Sequence, residues 1–283
     1  MEMNEVSVIG AGTMGHGIAQ VFAQAGYNVI LIDTTEDFVQ AGIGRITKNL
    51  KRRVDKGKMA SEKMDEVLGR IKGSVDISDA SGSQLVVEAV VENPAIKKDI
   101  FGKLSDVTNK TTILATNTSS IPITEIASSA LHPERVVGMH FFNPVPVMKL
   151  VEVVRGEATE DWVVDEVIKV VDKMNKGPVE VLDFPGFISN RLLMPMINEA
   201  AFALMEGAAK REAIDSVMKL GMNHPMGPLE LADLIGLDVC LSIMEVLQNG
   251  FGDPKYRPCP LLRKMVAAGY LGRKTKRGFY EYE

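Results

Sequence analysis

Val6-Ser7-Val8-Ile9-Gly10-Ala11-Gly12-Thr13-Met14-Gly15 leads into His16-Gly17-Ile18-Ala19-Gln20-Val21-Phe22-Ala23-Gln24-Ala25-Gly26, and Asn28-Val29-Ile30-Leu31-Ile32-Asp33 follows. A β-branched run meets three glycines at G-x-G-x-x-G spacing; a helical pattern, a second apolar run and an acid come after it. Gly10 permits a tight strand-to-helix turn, Gly12 lets the backbone approach a pyrophosphate, and Gly15 lets the helix lie close on the sheet. The exposed amides of the helix N-terminus, from Thr13 and Met14 onward, then neutralise phosphate charge. Asp33 ends the second strand, where a carboxylate accepts ribose hydroxyls. The glycine spacing alone occurs in many turns. With strand, helix, second strand and acid all in place, it predicts a Rossmann βαβ unit that binds a nicotinamide dinucleotide. Asp33 repels a 2′-phosphate, and Thr34 and Thr35 supply no arginine to receive one, so NAD is expected ahead of NADP.

Outward from this unit the same rhythm continues. Strands are predicted at 6–9, 28–32, 85–91, 112–115, 136–140, 150–154 and 179–182, with helices at 15–26, 36–56, 60–71, 95–108 and 160–174. The series Trp162, Val163, Val167, Val170, Val171 and Met174 has helical spacing and reads as a core stripe. Strands alternating with helices imply an α/β fold with a mostly parallel sheet. After Asp183-Phe184-Pro185-Gly186 strand signals cease, and helices are predicted at 187–207, 211–220, 228–249 and 260–268, the first kinked at Pro195. Pro185-Gly186 is the expected boundary, giving a dinucleotide domain over 1–185 and an all-helical substrate and dimerisation domain over 186–283.

The chain of 283 residues is 46% hydrophobic and 24% charged, enough apolar material for two cores. Its net charge of −5 supplies no global field for nucleic acid or an anionic membrane. Cys240 and Cys259 lack CxxC spacing and a histidine pair, so neither a metal site nor a disulfide framework is expected, and a reducing cytoplasm suits them. The start, MEMNEVSVIG, opens into a strand without a leader pattern. The most apolar helix candidate, 187–205, carries Asn190, Arg191, Pro195, Asn198 and Glu199 and does not read as a membrane span.

Polar residues collect between Thr116 and Glu152, at strand ends where an open α/β sheet holds its ligands. Asn117-Thr118-Ser119-Ser120 follows one strand, His140 ends another, Asn143-Pro144 turns away, and Glu152 interrupts an apolar strand. Hydride transfer from an alcohol needs a base for the hydroxyl proton, and a neutral histidine oriented by a carboxylate suits that task. Spacing alone leaves a satisfied structural histidine, a half-exposed Glu152, and a Ser120 or Thr124 helix cap equally readable.

GAGTMGHGIAQ, NTSS, GMHFFNPVPVMKLVEVVRG, PGFISNRLLMPMINEA, NHPMGPLELADLIGLD and LGRKTKRGFYEY together resemble the short-chain 3-hydroxyacyl-CoA dehydrogenase family, on the side of its bacterial 3-hydroxybutyryl-CoA members, over essentially the whole chain. The resemblance implies NAD-dependent interconversion of (S)-3-hydroxybutanoyl-CoA and acetoacetyl-CoA. It implies His140 as general acid/base, Glu152 as its orienting acid, Ser119 on the substrate oxygen and Asn190 as a substrate contact from the second domain. Glu92, Lys97, Ser119, Asn143 and Lys274 are implied to line the nicotinamide half or its ribose. Closure between the domains would exclude water from the hydride path.

Lys48, Lys51, Arg52, Arg53, Lys56 and Lys58 crowd one helix, with Lys48, Arg52 and Lys56 on one side. A solvated charged face is one reading; the resemblance makes it the grip on coenzyme A, with Arg52 and Lys56 as its residues. Asn49 stands where relatives often carry serine. The apolar series Ile235, Leu237, Val239, Leu241, Ile243, Met244 and Leu247 reads either as internal core or as the seam of a homodimer. Two other readings share the scaffold: an enzyme of free hydroxy acids or sugar acids, and a protein that only binds the dinucleotide.

Overall fold

The computed structural model describes residues 3–283; Met1 and Glu2, the head of the stretch read as leader-free, lie outside them. The chain forms two compact units, one ending at Asp183 and one spanning Phe184–Glu283.

The first unit is built on eight strands: β1 (Glu5–Ile9), β2 (Asn28–Ile32), β3 (Ile71–Ser74), β4 (Leu85–Glu88), β5 (Ile113–Thr116), β6 (Val136–Phe141), β7 (Leu150–Arg155) and β8 (Gly177–Leu182). They lie in the order β3-β2-β1-β4-β5-β6-β7-β8, and only the β6–β7 pair is antiparallel. Helices α1 (Gly15–Gln24), α2 (Glu36–Asp55), α3 (Ser61–Gly69), α4 (Pro94–Val107), α5 (Ile123–Ala127) and α6 (Asp161–Lys173) connect them. β4, β5 and β6 are buried along their whole length, as a sheet covered on both faces requires. The strand order reverses between β1 and β4, so the carboxyl ends of these two strands open the crevice in which such sheets bind ligands.

Several elements depart from the sequence reading. β4 stops at Glu88 rather than running to residue 91, because the Glu88 carboxylate folds back onto the amide of Val90 at 2.7 Å and ends the ladder; Val91 is 65% exposed. β3 has no counterpart among the expected strands, because Ile-Lys-Gly-Ser is short and the preceding helical pattern runs through Ile71. α5 likewise has no counterpart among the expected helices, and neither Ser120 nor Thr124 caps it. Its first amides, Ile123 and Thr124, donate instead to the Asp183 carboxylate at 2.9 and 2.8 Å, sixty residues away in sequence. In α6 Val163, Val167, Val170 and Val171 are buried, while Trp162 lies outside the stripe with its indole N–H on Glu160.

The second unit contains α7 (Ser189–Met205), which carries Pro195 within it, α8 (Arg211–Gly221), α9 (Pro228–Ile235), α10 (Leu237–Phe251) and α11 (Pro260–Ala267). The helix read as continuous over 228–249 breaks at Gly236, whose φ of 107° is open to glycine and strained for other residues. Leu237, Ile243, Met244 and Leu247 are buried in this unit's own core with Met194, Ile197, Leu229 and Leu262. They are therefore core, not seam; Ile235 and Leu241 pack partly against them, and Val239 is exposed. Two buried carboxylates fasten the C-terminal segment: Asp233 accepts from the amides of Phe279 and Tyr280, and Asp215 from the Tyr280 hydroxyl.

Candidate active site

β1 delivers the chain to Gly10, where φ is +99° and a Cβ would lie 2.7 Å from the carbonyl oxygen of Ala89. A Cβ on Gly15 would fall 1.7 Å from the Gly10 carbonyl oxygen, so the turn and the first turn of α1 fit only as glycines. Gly12 is different: a Cβ there meets nothing within 4 Å. The protein's own packing does not call for a glycine at that position, whereas a ligand backbone laid across the turn does. α1 carries no side-chain cap and no acid in its first turn, which leaves its positive end uncompensated by the protein's own side chains.

Asp33 closes the same turn. Its Oδ2 accepts from the Ala11 amide at 2.7 Å, and its Oδ1 accepts from the amide and hydroxyl of Thr34 at 2.7 and 3.2 Å. Arg45 of α2 donates to the Ala11 carbonyl at 3.4 Å, a guanidinium beside a turn whose positions 34 and 35 carry only threonine. It lies about two and a half helical turns along α2, so no local motif announces it.

Behind the carboxyl ends of β4 and β5 lies an ionic cluster, buried at Lys97 and Glu88 and exposed at Glu92. Lys97 of α4 is 1% exposed, and its ammonium sits 2.6 Å from Glu88 and 3.3 Å from Glu92. Thr116 donates its hydroxyl to the other Glu88 oxygen at 2.7 Å. Glu92 in turn accepts from the hydroxyls of Thr118 and Ser120 at 2.5 and 3.0 Å, and from the amide of Ser119 at 3.0 Å. Burial pushes the Glu92 carboxyl up, but the Lys97 ammonium and these hydrogen bonds outweigh it and hold it below the usual glutamate range. Ser120 is thus committed to Glu92, and the Asn-Thr-Ser-Ser loop hangs from one carboxylate. Glu88, fully buried, had no place in the sequence reading; an acid ending an apolar strand, four residues before another, was the available signal.

β6 and β7 run antiparallel with His140 and Glu152 directly opposite. The histidine Nδ1 lies 2.7 Å from Glu152 Oε2, with His140 7% and Glu152 2% exposed. A carboxylate only accepts, so a neutral imidazole in this bond carries its proton on Nδ1, the tautomer in which Nε2 is the basic nitrogen. The Phe142 ring packs on the imidazole with centroids 4.5 Å apart. Asn117 ties the neighbouring strand end to this one, its Oδ1 accepting from the Phe141 amide at 2.9 Å. Ser119 and His140 therefore stand at the ends of adjacent strands, β5 and β6, along the edge that begins at Gly10.

The remaining expected residues are placed as follows. Asn143 is exposed and precedes the cis Asn143–Pro144 bond. Lys97 is interior, so Glu92 is what this ionic pair presents outward. Lys48, Arg52 and Lys56 are exposed along α2 and its C-cap, and among the described residues no carboxylate lies within 4.0 Å of them. In the second unit Asn190 is buried in the first turn of α7, and Lys274 pairs with Asp238 at 2.6 Å. Cys240 and Cys259 are free and buried, and burial pushes the Cys240 thiol up to about 12. Among the described residues no His/Cys/Asp/Glu group is arranged to hold a metal ion, and no helix is long and apolar enough to cross a membrane.

A glycine turn at the switch point of a parallel sheet defines a Rossmann-type dinucleotide-binding protein. The profile described as 3-hydroxyacyl-CoA dehydrogenase, NAD binding domain, matches residues 5–184, and that of the C-terminal domain matches 186–282. The chain belongs to the 3-hydroxyacyl-CoA dehydrogenase family and is an oxidoreductase with an NAD-binding first unit. It is 56% identical over 283 residues to a probable 3-hydroxybutyryl-CoA dehydrogenase of Bacillus subtilis, covering 100% of this chain and 99% of that one. It is 51% identical to the 3-hydroxybutyryl-CoA dehydrogenase of Clostridioides difficile, over 98% and 99% of the two chains. The crystal structure of (S)-3-hydroxybutyryl-CoA dehydrogenase from Ralstonia eutropha superposes with a TM-score of 0.98 at 48% identity, covering 100% of both chains.

Proposed function

We propose that the protein interconverts (S)-3-hydroxybutanoyl-CoA and acetoacetyl-CoA with NAD as cofactor, His140 acting as general acid/base. The observation that carries this reading is the buried His140–Glu152 pair, 2.7 Å apart and in strand register at the carboxyl edge of the dinucleotide sheet. The residues at the turn fit a dinucleotide: Gly12 leaves its approach open, and the uncapped start of α1, with Thr13 and Met14, favours phosphate. Asp33 takes the ribose, and its charge favours NAD over NADP; Arg45 is the neighbouring counterweight. When bound, the nicotinamide accepts the hydride in oxidation and donates it in reduction.

In oxidation Nε2 of His140 takes the proton of the substrate 3-hydroxyl, and Glu152 stabilises the resulting imidazolium. In reduction the imidazolium returns that proton to the nascent alkoxide. Ser119 holds the reacting oxygen, its loop anchored through Glu92 to Lys97. Asn143 and Glu92 border the nicotinamide half, Arg52 and Lys56 attract the acidic coenzyme A, and Asn190 and Lys274 are the further contacts that the family reading assigns. The free, buried cysteines agree with a cytoplasmic enzyme.

Initial rates of acetoacetyl-CoA reduction with NADH and NADPH, beside rates on free acetoacetate, test the reading. Turnover of the thioester with NADH preferred is expected. Faster turnover of the free acid, or none on either, overturns it.

A further inference from the structure

Glu88 closes β4 with both carboxylate oxygens committed. Its Oε1 accepts from the Val90 amide at 2.7 Å and the Lys97 ammonium at 2.6 Å, and its Oε2 accepts from the Thr116 hydroxyl at 2.7 Å. All three partners donate, the pattern a carboxylate requires. Two routes lead from Glu88 to Glu92. Lys97 spans the acids directly, 2.6 Å from Glu88 and 3.3 Å from Glu92. The second route runs along the end of β5. There the Thr116 hydroxyl accepts from the Thr118 amide at 3.2 Å, and the Thr118 hydroxyl donates to Glu92 at 2.5 Å. Together they close a ring whose inner members, Glu88 and Lys97, are buried, while Glu92 reaches the surface.

The ring holds two carboxylates and one ammonium. A buried ion is ordinarily matched by one of opposite sign, because desolvation of an unpaired charge is costly. Glu88, the closer partner, would satisfy Lys97 by itself. Among the described residues no second cation lies within 4.0 Å of either acid. The surplus negative charge therefore falls at the surface end of the ring, on Glu92, which also accepts from the Ser119 amide at 3.0 Å. Without the Glu88 charge, the ammonium would belong to Glu92 alone and the ring would be neutral. A nicotinamide ring is cationic when oxidised and neutral when reduced. A fixed negative charge in a poorly hydrated site favours the cationic form, by an amount that falls with distance.

We propose that Glu88 is a positioning residue for hydride transfer. It holds the Lys97 ammonium inside the carboxyl edge of the sheet, and so leaves Glu92 as a net negative charge toward the nicotinamide, with the Ser119 loop hung on the same carboxylate. The proposal rests on the reading above in which Glu92 borders the nicotinamide half. Its consequence is a bias of the bound cofactor toward the oxidised form, which eases hydride donation to the ketone and opposes the reverse step. Glu88 acts without touching cofactor or substrate, since it is fully buried. The same carboxylate shapes the crevice. Its bond to the Val90 amide turns the chain where Ala89 meets Gly10, so backbone and charge are set from one residue.

The test measures the dissociation constants of NAD⁺ and NADH by equilibrium titration in the wild-type protein, Glu88→Gln, Glu92→Gln and the double variant Glu88→Gln/Lys97→Met. Glu88→Gln neutralises the ring, so NAD⁺ is expected to weaken relative to NADH by about threefold or more, as loss of one charge at this range implies. The double variant removes the ammonium as well and restores the net charge. Its ratio is expected to return to within about twofold of wild type, while kcat for acetoacetyl-CoA reduction stays lowered because the Ser119 loop has lost its anchor. A purely structural role moves the two affinities together and gives no recovery in the double variant. An unchanged ratio in Glu88→Gln overturns the proposal, and so does a double variant whose ratio stays shifted. Glu92→Gln separates this outcome from a failure of the earlier reading. If it too leaves the ratio unchanged, Glu92 does not border the nicotinamide; if it alone shifts the ratio, the role of Glu88 has failed. Should Glu88→Gln not fold, the double variant decides, its buried positions being uncharged: a wild-type ratio with lowered kcat supports the assignment, and any other ratio removes it.

Discussion

On the proposed reading, His140 owes two things to Glu152 at once, the nitrogen that bears its proton and a countercharge during proton transfer. A carboxylate 2.7 Å from Nδ1 supplies both, because it accepts without donating and carries the opposite charge. Glu152→Gln keeps the shape but adds an N–H donor, which lets the ring bond in the wrong tautomer and removes the countercharge. We expect Glu152→Gln and His140→Gln each to lower kcat by about a hundredfold or more, with NADH affinity by fluorescence titration little changed. Near-normal turnover in either variant would end the assignment. Glu92 shows the same economy on a smaller scale. One carboxylate receives Thr118, Ser119 and Ser120, and Lys97 behind it supplies the charge that keeps it ionised.

At the scale of elements, the antiparallel turn of β6 into β7 is what sets His140 opposite Glu152, twelve residues apart in sequence. An all-parallel continuation would have put Glu152 elsewhere. Gly138 permits the close packing there, since a Cβ would lie 2.7 Å from Val154 Cβ and 2.9 Å from Ile123 Cδ1. Ile123 belongs to α5, and α5 is fastened by Asp183, whose carboxylate takes the first two amides as a cap supplied from the end of the unit. Asp183→Ala should therefore cost about 1–2 kcal/mol, the value of a lost N-cap, read as a lower thermal midpoint with kcat affected less than stability. An unchanged midpoint would show the cap to be idle. This contact was illegible along the chain, because capping rules look for a side chain within the helix's own flank.

Over the whole molecule, each unit buries its own core, and the apolar residues left outside are informative. Leu220 is 87% exposed, and Val217, Met222, Leu234 and Leu192 are exposed with it in the second unit. If a homodimer forms through the second unit, these residues, and not the buried Leu237, Met244 and Leu247, are the apolar ones available to a second copy. Sedimentation is expected to give a dimer at micromolar concentration; a monomer there would refute it.

The sequence by itself determined the dinucleotide turn, because Gly10, Gly12, Gly15 and Asp33 act within one local βαβ unit whose geometry follows from backbone freedom and strand pattern. It also determined the α/β-then-helical order, since side-chain periodicity is local. The His140–Glu152 pair stood in the sequence as two residues whose pairing only family resemblance suggested; strand register joined them. Arg45 beside Ala11, Glu88 behind Lys97 and Asp183 on α5 belong to the tertiary structure alone. Each brings together charges or donors from distant elements, and electrostatic pairing in space leaves no period in the chain for a reader to find.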